Sequence, residues 1–197
     1  MVWTPCIEIA TAAGVREVRL QSRLLGAGKI LLNGEITAQL ADEVIAQLLY
    51  LKGEGIDPVL FINSNGGSVN AGLAICDALR AYPGTVSMLV TGMAASMAAV
   101  IFSNGTKGRR FVLPHAEVMI HQPLIGDCPG GNAGEIRRRS QSLLKTRDVL
   151  SGILAENTGH TLEEVNERIE YGDYSMTGPE AVEFGIADAV LENLYDL

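Results

Sequence analysis

From Ala81 to Thr106 the chain carries no charged residue, and no other feature limits its folding so sharply. A run of that length has to leave water, because removing apolar surface from water is the main drive to fold. It can do so as a membrane span or as the centre of a core. It is long enough to cross a bilayer. Its punctuation argues otherwise. It opens on Ala-Tyr-Pro-Gly-Thr, carries Gly84, Gly92 and Gly105, and divides into two patterns. "TVSMLV" reads as a buried strand, and "AASMAAVIF" as a helix with small residues toward its start. No aromatic belt flanks the run. The expectation is a buried strand, turn and helix rather than a span. Within it Ser96 stands among small residues, Ala94, Ala95 and Ala98, which raises the question of what a hydroxyl does there.

The chain around this run has 197 residues, enough for one substantial core, and it reads as a single domain over 1–197. Short apolar runs alternate with longer helical ones. Strands are expected at 29–34 ("KILLNG"), 58–64 ("PVLFINS"), in "RRFVLP" and in "AEVMIHQP". Helices are expected at 37–55, 69–82, 134–159, 161–170 and 178–185, and "IADAVLENL" supplies a closing strand and tail. In the first helix Leu40, Val44, Leu48 and Leu51 recur at helical spacing, and Gly53 and Gly55 stop it. Repeated strand-then-helix units predict an α/β fold with parallel strands and right-handed crossovers.

Charge and cysteine content exclude some functions. The net charge is −8, so a nucleic-acid footprint is not expected, and the basic clusters at 107–110 and 137–139 read as solvated surface. The three cysteines, Cys6, Cys76 and Cys128, form no CxxC pair and point to a reducing compartment. The opening residues show no signal or transit peptide pattern.

Three groups could carry chemistry. Ser96 falls between the buried strand and its helix, where free N–H groups favour a developing negative charge. It could equally be a simple N-cap. There is no GxSxG, so a hydrolase-type nucleophile elbow has no motif to support it. His121, in "EVMIHQP", closes an apolar strand, either as a functional side chain or as a histidine bonded to a backbone carbonyl. His115 and His160 read as solvated turn residues. A zinc site from His115, His121 and Cys128 lacks recognisable ligand spacing. "NSNGGSV" (63–69) places a glycine pair between a strand and a helix. It could be a phosphate cradle, although GxxxxGK[ST] and GxGxxG are both absent. It could also be a plain turn, or a place where a backbone N–H can approach a substrate oxygen closely.

Together "SRLL" (22–25), "INSNGGSVNAG", "GMAASMAAV", "KGRRFVLPHAEVMIHQP" and "PEAVEFGIAD" resemble the ClpP family, the proteolytic subunits of the ATP-dependent Clp protease. The resemblance implies a crotonase-like fold of repeated β-β-α units, with an N-terminal axial segment over about 1–20 and a protruding handle over about 122–159. It implies a serine endopeptidase in which Ser96 is the nucleophile, His121 the general base and Asp173 its orienting partner. Gly67 and Met97 would supply backbone N–H groups to an oxyanion hole. It implies no metal and no cofactor, ATP being used by a partner AAA+ unfoldase that docks on Phe61, Leu89, Leu113 and Leu191. Substrates would be peptides and unfolded proteins, cleaved in the cytoplasm inside heptameric rings stacked as a tetradecamer, with no role for nucleic acid or membrane.

The sequence departs from the family pattern at several points. Asn65 stands where proline usually precedes the glycines, and "SMAA" replaces Ser-Met-Gly. The handle entry is longer and holds Cys128 and Pro129, and Ala81 and Thr91 replace larger apolar docking residues. Tyr171-Gly172 precedes Asp173 where the family carries an arginine for an inter-ring ion pair, and Arg137, Arg138 and Arg139 are the candidate substitutes. Competing readings are a ring subunit serving only as scaffold, a crotonase-superfamily enzyme, and a signal-peptide-peptidase-like Ser-Lys enzyme. Against the last, Lys107 would lie about 16 Å along a continued helix from Ser96.

Overall fold

The computed structural model describes residues 5–11, 14–124, 131–194 and 197. The chain opens with an antiparallel hairpin, β1 (Cys6–Thr11) and β2 (Gly14–Arg19), and a short helix α1 (Leu20–Gly26). Strand and helix then alternate through β3 (Lys29–Ile36), α2 (Ala38–Glu54), β4 (Val59–Gly67), α3 (Val69–Arg80), β5 (Ser87–Ala95) and α4 (Met97–Ser103). Two short strands follow, β6 (Arg110–Val112) and β7 (Glu117–Ile120). The chain ends through α5 (Ala133–Thr158), α6 (Leu162–Ile169), β8 (Tyr174–Thr177), α7 (Gly178–Glu183) and β9 (Ala189–Val190).

The main sheet runs β3-β4-β5-β6-β9, all parallel, and β7 and β8 branch from it. The branch point is β5. One edge pairs with β4 along most of its length. The other pairs first with β6, at Met88–Val90, and then with β7, at Met93–Ala95. The end of β5 that leads to Ser96 is therefore held by β4 on one edge and by β7 on the other. β8 joins β7 antiparallel.

Local chemistry sets the helix limits. On α2, Ala41, Val44, Leu48 and Leu51 are buried at spacings of three and four. Thr37 caps its start by accepting from Leu40 N at 3.2 Å, and Gly55 ends it at φ 69°. On α5 Asn132 and Glu135 form a reciprocal capping box. The first four turns of α5 are largely exposed, and only Leu150, Ser151, Leu154 and Ala155 are buried. The uncharged run finds its place in α4, every residue of which is buried, from Met97 to Ser103. A helix apolar on all sides has to be enclosed, and here β4, β5, α3 and α5 enclose it. No helix among the described residues is long and apolar enough to cross a membrane.

Two expectations shift by a few residues, and one fails. Ala94 and Ala95 belong to the strand, not the helix, because their pairing with Val118 and Met119 overrides alanine's helix preference. β4 likewise continues through the glycine pair, held by β3 at Glu35–Gly66 and Ile36–Gly67. His160 is not a solvated turn residue. It stacks on Phe184 with ring centroids 4.5 Å apart. Cys128 and Pro129 lie outside the described residues.

Candidate active site

Strand register brings the three sequence candidates together. Ser96 follows the last residue of β5, and its N–H donates to Met119 O of β7 at 2.8 Å. β7 ends one residue on, at Ile120, and His121 begins the exit from the sheet. Ile120 pairs with Tyr174 in the antiparallel β7–β8 ladder, so His121 falls opposite Asp173. The result is a line of side chains across three neighbouring strand ends. Ser96 Oγ lies 2.7 Å from His121 Nε2, and His121 Nδ1 lies 3.5 Å from Asp173 Oδ1. A carboxylate facing Nδ1 favours the tautomer with its proton there, which leaves Nε2 free to accept from the serine.

The two ends of this line differ. His121 keeps only 18% of its side chain in solvent, whereas Asp173 keeps 66%. The 3.5 Å separation is long for a hydrogen bond. Gly172, just before Asp173, has φ 146° and open space around it.

Ser96 is not a capping residue. It occupies the N-cap position of α4, but its hydroxyl makes no cap bond. Its backbone is at φ 55°, the one positive φ at a non-glycine residue among the described residues. Such a conformation costs a side-chain-bearing residue about 1–2 kcal/mol, and strained positions of this kind cluster at functional sites. The turn is thus a strained strand-to-helix elbow without the GxSxG motif. The missing room comes from elsewhere in the chain. A Cβ placed on Gly66 of β4 would stand 2.8 Å from Ala95 O, 2.8 Å from Ser96 Cβ and 3.0 Å from Met97 N. The glycine that lets the elbow form is therefore supplied by the neighbouring strand.

Gly67 and Met97 flank the serine. Ser68 N donates to Ile36 O at 2.8 Å, so β3 bonds the residue after Gly67. In a parallel ladder the N–H of Gly67 then points the other way, toward β5 and Ser96. Met97 is the first residue of α4, where an N–H has no partner inside the helix. Gly67, Ser96 and Met97 line the same cavity.

Sequence reasoning missed two residues that hold this strand pair. β4 and β5 slip register between Ile62 and Ser64. Across the slip Asn63 Oδ1 accepts from Met93 N at 3.2 Å, and Ser64 Oγ accepts from Gly66 N at 3.1 Å. Side chains thus replace lost ladder bonds beside the glycines. No sequence sign marks them: Gly92, whose Cβ would lie 2.7 Å from Asn63 Oδ1, becomes a neighbour only once β4 and β5 have paired.

A cavity of about 250 Å³ opens beside Ser96 and His121, walled by Val69, Val100, Ile120, Leu150 and Leu154. It suits one large apolar side chain. Cys76 offers no rival nucleophile, since burial pushes its thiol up to about 12. No cluster of metal-ligating side chains occurs among the described residues.

The expected docking residues are divided. Phe61, Leu113 and Leu191 are half-buried, and Lys29 Nζ lies 5.7 Å from the Phe61 ring centre. Leu89 is a correction. It lies mid-sheet, between Phe61 and Phe111 in the cross-strand row, and is fully buried, so it offers a partner no surface.

With this geometry in place, comparison with known proteins is informative. The Clp protease family model matches residues 12–194. The "ATP-dependent Clp protease proteolytic subunit" of Streptococcus agalactiae serotype V is 41% identical over 191 residues, 96% of this chain and 97% of that protein. The proteins of the same name from Streptococcus uberis and Streptococcus pyogenes serotype M1 are 41% and 42% identical, with the same coverage.

Proposed function

This chain belongs to the Clp protease family, and from that premise we propose that it is the peptide-cleaving subunit of an ATP-dependent Clp protease, a serine endopeptidase acting on unfolded proteins and peptides. The observation that carries the reading is the 2.7 Å contact of Ser96 Oγ with His121 Nε2, made from a strained backbone.

In this reading His121 Nε2 takes the hydroxyl proton as Ser96 Oγ bonds to the scissile carbonyl carbon. The carbonyl electron pair moves onto oxygen, which the N–H groups of Gly67 and Met97 hold. Asp173 keeps the imidazole oriented and balances its charge. The intermediate collapses, the C–N bond breaks, and His121 returns the proton to the leaving amine. Water then attacks the acyl-serine by the same route in reverse. The apolar cavity holds the side chain on the acyl side of the bond. No metal or cofactor enters the scheme; ATP is used by the partner unfoldase.

The remaining parts of the reading concern assembly and place. Exposed Ile136, Leu144 and Val149 on α5 support self-association through this helix, as heptameric rings stacked in pairs. Half-buried Phe61, Leu113 and Leu191 are the surface proposed for the unfoldase, in the cytoplasm.

A second reading has one observation in its favour. The exposure of Asp173 suits a ring subunit that holds its site unaligned and serves as scaffold. A fluorophosphonate probe with mass mapping, alongside hydrolysis of a short fluorogenic peptide, separates the two. The peptidase reading expects Ser96 to be labelled and the peptide cleaved, and both to vanish in Ser96→Ala. An unlabelled Ser96 in assembled native protein overturns it.

A further inference from the structure

Beyond the apolar cavity, a second recess meets the catalytic turn at Gly67. It is an open cleft of about 610 Å³, lined by Asn33, Glu35, Asn63 and Asn65 with the glycines of β4. The two recesses share Gly67. Their chemistry differs. The first is walled by aliphatic side chains, whereas the second carries three side-chain amides, one carboxylate and no cation.

Glu35 is the unusual member. It is exposed on β3, paired with Gly66, and its side chain runs beside Gly67: a Cβ on Gly67 would lie 3.1 Å from Glu35 Cγ. It has no ion-pair partner among the described residues. A carboxylate held near a developing oxyanion opposes it, because like charges raise each other's energy. A cationic group from the substrate would remove the penalty. The cleft can hold one, since the amide oxygens of Asn33 and Asn65 can accept from an ammonium or guanidinium while Glu35 balances its charge; Asn63 Oδ1 already accepts from Met93 N.

We infer that this cleft is a subsite for a lysine or arginine side chain flanking the cleaved bond. The inference rests on the peptidase reading above and adds a preference to it: one large apolar side chain in the first recess, one cation in the second.

The test is a set of internally quenched peptides with leucine fixed for the apolar cavity. Lysine, glutamine or glutamate is placed in turn at each of the two neighbouring positions on either side. Native protein is compared with Glu35→Gln and Glu35→Lys by kcat/KM at low and high salt. At one position lysine should be favoured over glutamine by about 2–5-fold at low salt, the range for an exposed ion pair. The preference should shrink at high salt. It should vanish in Glu35→Gln, and Glu35→Lys should favour a glutamate peptide instead. Peptides that are cleaved with the same lysine-to-glutamine ratios in native protein and Glu35→Gln overturn the inference and leave the peptidase reading intact. If native protein cleaves none of them, both fall together.

Discussion

Adding one methyl group at Gly66 tests the proposed origin of the elbow. In Gly66→Ala the new Cβ would stand 2.8 Å from Ala95 O and Ser96 Cβ and 3.0 Å from Met97 N. Ordinary contact for such atoms begins near 3.5 Å. The serine turn, the strand carrying Gly66, or both must therefore move by about half an ångström. Gly66 is also at φ 94°, where an L side chain adds about 1–2 kcal/mol of strain. Stability should fall by about 2–3 kcal/mol, strain and displacement together. Activity should fall further than stability explains. A misplacement of 1 Å can cost about 10²-fold, so half of that predicts a loss of kcat of about tenfold or more. KM should change less than kcat, because the aliphatic walls of the cavity, Val69, Val100, Ile120, Leu150 and Leu154, lie on other elements and only Gly67 of β4 borders it. The assay is steady-state cleavage of a fluorogenic peptide, with fluorophosphonate labelling of Ser96 and a thermal melt of the same sample. A variant with native kcat and native Tm would refute the argument, since it would mean that the elbow does not need the space Gly66 leaves.

Ser96→Ala should abolish peptidase activity down to the roughly 10³–10⁴-fold acceleration over water left when a triad member is lost, with fold and assembly unchanged; native-like turnover would remove Ser96 from its role. Ser96→Gly should be equally inactive but more stable than Ser96→Ala, by up to about 1 kcal/mol, because glycine accepts φ 55° without strain; a less stable glycine variant in thermal melts would count against the strain. Arg110 is 3% exposed and doubly bonded to Asp188, so Asp188→Asn should cost about 3 kcal/mol near neutral pH, the low end for a broken buried pair because Asp188 keeps 16% exposure. Burial alone would raise the Asp188 carboxyl, but hydrogen bonds from Arg110 outweigh it and hold the carboxyl below its ordinary range. Its contribution is therefore complete above about pH 4 and lost as pH falls through the lowered value, so the native and variant melts should converge on acidification; a constant gap would sink the linkage. Arg137, Arg138 and Arg139 are exposed on α5, and exchanging them for alanine, or adding salt, should shift double rings toward single rings and lower peptidase rate in parallel; sedimentation velocity showing a stable, active double ring under both treatments would exclude them as the ring tie.

The core was legible because burial leaves a periodic trace. Leu48 and Leu51 mark the inner face of α2, and alternation marks β3 and β4. β8 was not legible: only Met176 of its four residues is buried, so no pattern announces it, and β7 defines it by pairing. The hairpin of β1 and β2 is hidden for the same reason, being mostly exposed in β2. Ser96, His121 and Asp173 could be named from motifs, but their convergence depends on register between β5, β7 and β8, which spacing along the chain does not encode. Gly66 shows the limit most sharply. Its glycine pair was visible, but the atoms it must clear belong to Ala95, Ser96 and Met97, about thirty positions away in sequence and adjacent only once β4 and β5 have paired. The same pairing explains why a GxSxG search finds nothing: the turn needs space beside the serine, and any strand that passes close enough can leave it.

The uncharged run then has a mechanical meaning. Ser96 sits between a strand bonded on both edges and a helix buried on every side, so its strained backbone has no route by which to relax. Asp173 sits at the opposite extreme, two-thirds exposed and preceded by a glycine in open space. Rigidity is concentrated at the nucleophile and freedom at the orienting acid. A perturbation from outside the subunit therefore acts first on the distance from Asp173 to His121, while the distance from Ser96 to His121 stays fixed by the β5–β7 ladder. In the assembly proposed above, contacts between subunits would act on the imidazole's orientation and charge balance before they reach the placement of the Ser96 oxygen.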